Sequence, residues 1–79
     1  MENLVRYIVE NLVDNKDLIE INTVDESEKV TIINVLVDKE DVGKIIGRDG
    51  KIAGSIRTIV RSASAKLGKR FIVKIGERD

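Results

Sequence analysis

The most informative stretch of this sequence is residues 45–52, Ile45-Ile46-Gly47-Arg48-Asp49-Gly50-Lys51-Ile52. Two glycines frame two charged residues, and apolar residues stand just outside the glycines. Because glycine tolerates a positive φ and lets another backbone come close, the stretch predicts a tight turn between two helices. Main-chain N–H groups exposed in such a turn suit a phosphate ligand. We therefore expect the function of the chain to depend on this loop.

Hydrophobic periodicity predicts six elements around the loop. Apolar residues at helical spacing predict helices, and apolar residues alternating with polar ones predict strands. The predicted elements are a helix over 3–14, strands over 18–24 and 30–37, a short helix from Asp38 to Gly47, a helix over 51–67 and a strand over 70–75. The polar connection 25–28 predicts an antiparallel hairpin, while a helical crossover allows the last two strands to be parallel. The expected fold class is α+β, with a three-stranded mixed sheet and helices packed on one face.

The same periodicity predicts which side chains are buried and where the helices end. The expected core faces are Ile33, Val35 and Val37 on the second strand, Phe71, Val73 and Ile75 on the last strand, and Ile52, Ile56, Ile59, Val60, Ala63 and Leu67 on the long helix. Asp38 is expected to cap the short helix, Asp49 to cap the long helix locally, and Gly68 to end it.

Charge is distributed unevenly along the chain. The 79 residues include 14 basic and 14 acidic side chains and predict one small domain over 1–79. Residues 1–38 carry three basic side chains against nine acidic ones, a net of −6, whereas residues 39–79 carry eleven against five, a net of +6. The loop lies in the basic half, and local field matters more to an anionic ligand than the total charge does.

The residue types that are missing exclude several classes of function. The chain has no cysteine and no histidine, and so lacks the usual thiol nucleophile, the usual general base and the usual zinc ligands. No carboxylates converge at a recognisable metal spacing. Neither a signal peptide nor an apolar run of the ~20 residues that a membrane span needs is present. We expect a cytoplasmic, non-catalytic domain without metal or cofactor and without a membrane partner.

Two nucleotide-binding motifs are excluded by the residues around the glycines. A phosphate-binding P-loop has the pattern G-x-x-x-x-G-K-[ST], but Ile45 stands at the first glycine and Ile52 at the hydroxyl that would hold magnesium. A dinucleotide fingerprint needs a strand that runs directly into the glycines, and here a short helix precedes them. The loop therefore predicts neither.

The segment 42–52 resembles the signature of the KH domain, a helix-G-x-x-G-helix loop with an apolar pair before it and an apolar residue just after it. The order α-β-β-α-α-β resembles the type II KH fold of bacterial RNA-binding proteins, and the resemblance covers the whole chain. It implies non-catalytic binding of about four unpaired nucleotides in a groove beside the GXXG loop. The chain is also similar to small stand-alone bacterial KH proteins, which implies an RNA chaperone or post-transcriptional regulator.

The resemblance implies a set of RNA-contacting residues. The loop backbone would face the phosphates, nearby cations would supply charge, and isoleucines with inward residues near Val35 and Val37 would form an apolar floor. The implied residues are Lys44, Ile46, Gly47, Arg48, Asp49, Gly50, Lys51 and Ile52. Asp49 departs from the family pattern, in which this pair often carries basic residues, and the chain has only one Tyr and one Phe for base stacking. We expect modest, salt-dependent binding with little sequence selectivity.

An alternative hypothesis is that the chain is a protein-interaction or dimerisation module with weak or no RNA binding. The late part of the long helix, Ser62-Ala63-Ser64-Ala65, has small side chains that would let a second helix lie close, and so is a candidate dimer face. The outward face of the second strand, with Val30, Ile32 and Leu36, is more apolar than a solvated face. Small stand-alone KH proteins are taken to self-associate and to work beside a larger KH-containing RNA-binding protein, which implies a homodimer or heterodimer.

Overall fold

A computed structural model describes residues 1–78 and confirms the predicted order of elements. The helices are α1 (Glu2–Glu10), α2 (Val42–Ile46) and α3 (Lys51–Ser64), and the strands are β1 (Glu20–Ser27), β2 (Val30–Val37) and β3 (Arg70–Glu77). Short 3-10 turns lie at Lys16–Leu18, Arg48–Gly50 and Ala65–Leu67. Within these residues, no helix combines the length and the apolar character that crossing a membrane requires.

The three strands form one mixed sheet in the order β1-β2-β3, so β1 and β3 are its edges. β1 pairs with β2 antiparallel, and β2 pairs with β3 in parallel, as the hairpin and the helical crossover predict. β2 keeps the predicted bounds, and burial alternates along it without interruption. Thr31, Ile33, Val35 and Val37 are buried, while their neighbours along the strand are partly exposed. The alternation places the helices on one face of the sheet and confirms the α+β fold class.

The predicted bounds of the first two elements need correction. α1 ends at Glu10 rather than near residue 14, although a further turn brings Val13 into the core. β1 runs from Glu20 to Ser27 rather than over 18–24, because Leu18 belongs to a 3-10 turn. The acidic segment predicted as a connection continues the pairing with β2, with a register shift between Asp25 and Ser27.

The buried face of α3 is rotated from the predicted one. Ile56 and Val60 are buried as expected, but Ala53 and Ser64 complete the buried row. Ile59 is 45% exposed, Ala63 is exposed and Leu67 is 60% exposed. Residues 53, 56, 60 and 64 follow helical spacing as well as the predicted set does, so periodicity alone does not settle which row faces the sheet.

The predicted caps have mixed outcomes. Gly68 follows the last turn with a φ of 64°, the left-handed conformation expected after a helix end. Asp38 does not cap α2: the helix begins after Asp41, and no side chain bonds to its first turn. Asp49 does not cap α3, which follows Gly50 without a side-chain cap.

Candidate nucleic-acid interface

The loop between α2 and α3 has a backbone conformation that only its glycines accept easily. Gly47 ends α2 with φ 73° and ψ 175°, and Gly50 precedes α3 with φ 73° and ψ 14°. Between them Asp49 has a φ of 56°, which aspartate tolerates better than most residues. The Gly50 N–H donates to the Gly47 carbonyl at 3.2 Å and closes the turn. The loop therefore has a defined shape without a ligand.

Ile52 supports this loop from beneath. A Cβ added at Gly47 would lie 2.6 Å from Cγ1 of Ile52 and 2.9 Å from two further atoms of that side chain. Ile52 is half-buried and packs against the core. Val35 and Val37, near which the sequence predicted an apolar floor, are fully buried in the core and have no surface open to a base.

The charged residues of the loop are exposed. Arg48, Asp49 and Lys51 point into solvent and form no ion pair within residues 1–78. Ile46, the last residue of α2, is 39% exposed just before the turn. The structure thus brings together seven of the eight predicted site residues, with two cations and one apolar side chain open to a ligand.

Lys44 is the exception, because its ammonium group is already paired. It forms ion pairs with the exposed Asp14 and, at 3.2 Å, with the fully buried Asp41. Asp41 also accepts hydrogen bonds from the N–H groups of Asp14 (3.3 Å) and Asn15 (3.0 Å) and from the Asn15 side chain (3.0 Å). This network, the Asp41 network, ties α2 to the segment after α1. Lys44 therefore helps to hold α2 in place, and its partly exposed ammonium group is already paired in the structure.

The hydrogen bonds in the Asp41 network keep its carboxylate ionised. Burial on its own would raise the pKa of Asp41, but the bonds from Asn15, Asp14 and Lys44 outweigh burial and lower the pKa to about 2. The carboxylates of Asp14 and Asp41 raise the pKa of Lys44 in turn. Asp41 and Lys44 are therefore both charged at neutral pH.

A groove that the sequence analysis did not anticipate runs between α3 and the edge strand β3. It contains a cavity of about 130 Å³ lined by Arg57, Arg61, Ser64, Arg70, Phe71, Ile72 and Val73. Arg57 is anchored there, since its Nε donates to the Val73 carbonyl at 3.3 Å. Arg57 and Arg61 are one helical turn apart and therefore lie on the same flank of α3. This spacing alone does not predict which element packs opposite them.

Gly54 lies on the same flank of α3, three residues before Arg57. A Cβ added at Gly54 would meet no heavy atom within 4 Å, so packing inside the described chain does not explain this glycine. Glycine inside a helix lowers stability by about 1 kcal/mol relative to alanine. A glycine at position 54 is therefore better explained by a ligand that comes close to the helix than by stability. It leaves the helix surface bare between the loop and the arginines.

The predicted dimer face at Ser62-Ala63-Ser64-Ala65 is not one surface. Ser64 is buried, and its hydroxyl donates to the Arg61 carbonyl at 3.1 Å, while the other three residues are exposed. The exposed apolar residues of α3 and its last turn instead follow the row Ile59, Ala63 and Leu67. This row, the α3 apolar row, lies on the flank away from Arg57 and Arg61.

Comparisons with known proteins agree with this geometry. The family model described as the KH domain of KhpA/KhpB matches residues 2–75. The RNA-binding protein KhpA of Borreliella burgdorferi is 44% identical over 72 residues, 91% of this chain and 87% of that protein. KhpA of Caldanaerobacter subterraneus subsp. tengcongensis is 45% identical over 75 residues (95% and 99%), and KhpA of Aquifex aeolicus is 38% identical over 77 residues (98% and 96%). No solved structure gives a significant match. A continuous match of this length, on a helix-GXXG-helix loop set beside a mixed sheet, shows that the chain belongs to the KhpA/KhpB family of KH domains.

Proposed function

We propose that this chain binds single-stranded RNA, without catalysis, in the groove beside the Gly47-Arg48-Asp49-Gly50 loop. The observation that carries the proposal is the continuity of the preformed loop with a bare helix flank and three arginines. Its relatives are named RNA-binding proteins, which supports the same ligand class. KH grooves take unpaired nucleotides, which favours single-stranded over duplex RNA as the ligand.

Each part of the groove has a separate role in the proposal. The loop backbone and the first N–H groups of α3 receive phosphate, with Arg48 and Lys51 adding positive charge. Ile46 contacts a base or sugar at the entrance. Arg57 lines the far part of the groove, where a guanidinium bonds to or stacks on a base.

Binding of this kind is modest and depends on salt. Phe71 is the single aromatic side chain among the residues lining the α3–β3 cavity, and Lys69 Nζ lies 5.8 Å from its ring centroid. Base stacking therefore contributes little, and phosphate contacts dominate, so the affinity falls as salt rises. Asp49 lowers it further, because its carboxylate stands among the phosphate contacts.

The proposal extends to assembly and biological role. The domain over 1–79 acts in the cytoplasm as a homodimer, or as a heterodimer with a larger KH-containing RNA-binding protein, and serves as an RNA chaperone or post-transcriptional regulator. Two linked grooves would raise avidity without any new contact in either of them. The α3 apolar row supports association, since two large aliphatic side chains stay exposed on one helix flank.

The same row favours the second candidate function, a protein-interaction module with weak or no RNA binding. Sedimentation at low and high concentration, combined with RNA titration, separates the two. The variant Arg48→Gln with Lys51→Gln, which leaves both loop glycines in place, is expected to lose most of its RNA binding and to keep its association state. A protein that associates but binds neither single-stranded nor duplex RNA would support the alternative. Equal affinity for both RNAs, or no loss at high salt, would contradict the groove.

A further inference from the structure

A second, more open depression continues the groove at the end farthest from the loop. It shares Arg61, Ser64 and Arg70 with the first cavity and adds Lys29, from the β1–β2 turn, and Gly68 and Lys69, from the turn after α3. Arg61 lies about 15 Å along the helix axis from Lys51, given a rise of about 1.5 Å per residue. The depression is therefore separate from the loop but continuous with the groove that the loop opens.

The charged side chains that line this depression are all cationic. No aspartate or glutamate lines either cavity, although the chain contains 14 acidic residues. Within residues 1–78, the side chains of Lys29, Arg61 and Arg70 make no hydrogen bond or ion pair. Converging cations without a carboxylate repel one another, and an anion between them would relieve that repulsion.

A main-chain hydrogen bond joins two of the residues that line this depression. The Arg70 N–H donates to the Lys29 carbonyl at 2.7 Å and joins the start of β3 to the hairpin turn. Lys69 is engaged elsewhere, because its ammonium pairs with Asp25 at 3.2 Å, and Asp25 is held in turn by the Thr31 hydroxyl at 2.7 Å. The main chains of Lys29 and Arg70 therefore keep a fixed separation, from which both side chains reach the depression.

We propose that Lys29, Arg61 and Arg70 form a distal phosphodiester site that receives the same RNA strand as the loop. The inference rests on the proposed function and extends it: the chain takes a strand longer than the about four nucleotides of a KH groove. The strand enters at the loop, passes Gly54 and Arg57, and leaves past the β1–β2 turn. The β1–β2 turn lies outside the GXXG loop signature. In this proposal it increases the length of RNA that the chain binds.

Fluorescence anisotropy with single-stranded RNAs of about four and about ten nucleotides tests the distal site. The wild-type protein is expected to bind the longer RNA more tightly than the shorter one. Lys29→Gln with Arg70→Gln should lose most of that difference. Its logarithmic salt slope on the longer RNA should fall by about 1.4, since each phosphate contact in a single strand contributes about 0.7. Lys29→Gln alone, at an exposed turn outside the first cavity, should lower the slope by about half as much.

A matched control removes two cations elsewhere. Lys16→Gln with Lys66→Gln changes the net charge equally and touches neither cavity, so it should keep the length dependence. Equal affinity for the two lengths, or an equal effect of both double variants, would overturn the distal site while leaving the loop groove standing. Two short RNAs bound per chain would show that the site takes a separate strand and would overturn the continuous path. Failure of every RNA to bind would instead contradict the proposed function itself.

Discussion

Alanine substitutions at the two loop glycines should have different costs, although both glycines have a φ of 73°. At Gly50 an added Cβ meets no heavy atom within 4 Å, so Gly50→Ala carries only the left-handed backbone penalty of about 1–2 kcal/mol. At Gly47 the ψ of 175° places the residue in a region that is essentially restricted to glycine, at a cost of about 1–3 kcal/mol. The contact with Ile52 at 2.6 Å adds an overpacking cost of about 1–3 kcal/mol.

Gly47→Ala should therefore destabilise the protein by about 2–6 kcal/mol, against about 1–2 kcal/mol for Gly50→Ala. A small domain has only a few kcal/mol to lose, so Gly47→Ala approaches global unfolding. Urea denaturation followed by circular dichroism measures both free energies of unfolding. Equal destabilisation by the two substitutions would refute the steric reasoning.

A double-mutant cycle isolates the contact itself. Ile52→Ala removes the atoms that a Cβ at Gly47 would meet, so Gly47→Ala combined with Ile52→Ala should cost about 1–3 kcal/mol less than the two single variants added together. Strict additivity would show that the backbone conformation alone explains the requirement for glycine at position 47.

Three further predictions concern the groove and the network beneath it. Asp41 has a folded-state pKa of about 2 against an ordinary value of 3.8, so its contribution to stability is complete above about pH 4 and is lost as the pH falls towards 2. Urea denaturation across this range should show that the free energy of unfolding falls more steeply for the wild-type protein than for Asp41→Asn. Parallel curves would contradict the prediction. Asp49→Asn keeps the left-handed backbone conformation and removes a carboxylate, so the RNA affinity should rise a few-fold at low salt and the gain should shrink at high salt. A gain in affinity that does not depend on salt would show that charge is not the cause. Gly54→Ala should raise the free energy of unfolding by about 1 kcal/mol and yet weaken RNA binding. Unchanged affinity in an anisotropy titration would show that the RNA does not pass the flank of α3 that carries Gly54.

Local sequence signals predicted the framework of the fold because they coincide with the tertiary structure. β2 is a nearly continuous run of β-branched and apolar residues, and its predicted bounds, Val30–Val37, match the structure. β1 was displaced because strand pairing extends into acidic residues that have little β propensity of their own. The rotation of α3 was missed for a related reason, since Ala53 and Ser64 are small enough to be buried against the sheet while Ile59 is left exposed.

The candidate interface was likewise predictable only in part. The two glycines specify the loop conformation locally, and the structure places both at positive φ as expected. The α3–β3 cavity was not predictable from one segment, because Arg57 and Arg70 meet only when β3 lies alongside α3. The pairing of Lys44 with Asp14, thirty residues earlier in the chain, is equally invisible to periodicity.

The hydrogen bond from Arg57 to the Val73 carbonyl also bears on the solubility of the protein. β3 is an edge strand, and an edge strand offers unpaired main-chain groups to strands of other molecules. The guanidinium occupies one of these acceptors and places a charge against the edge, which opposes aggregation by strand addition.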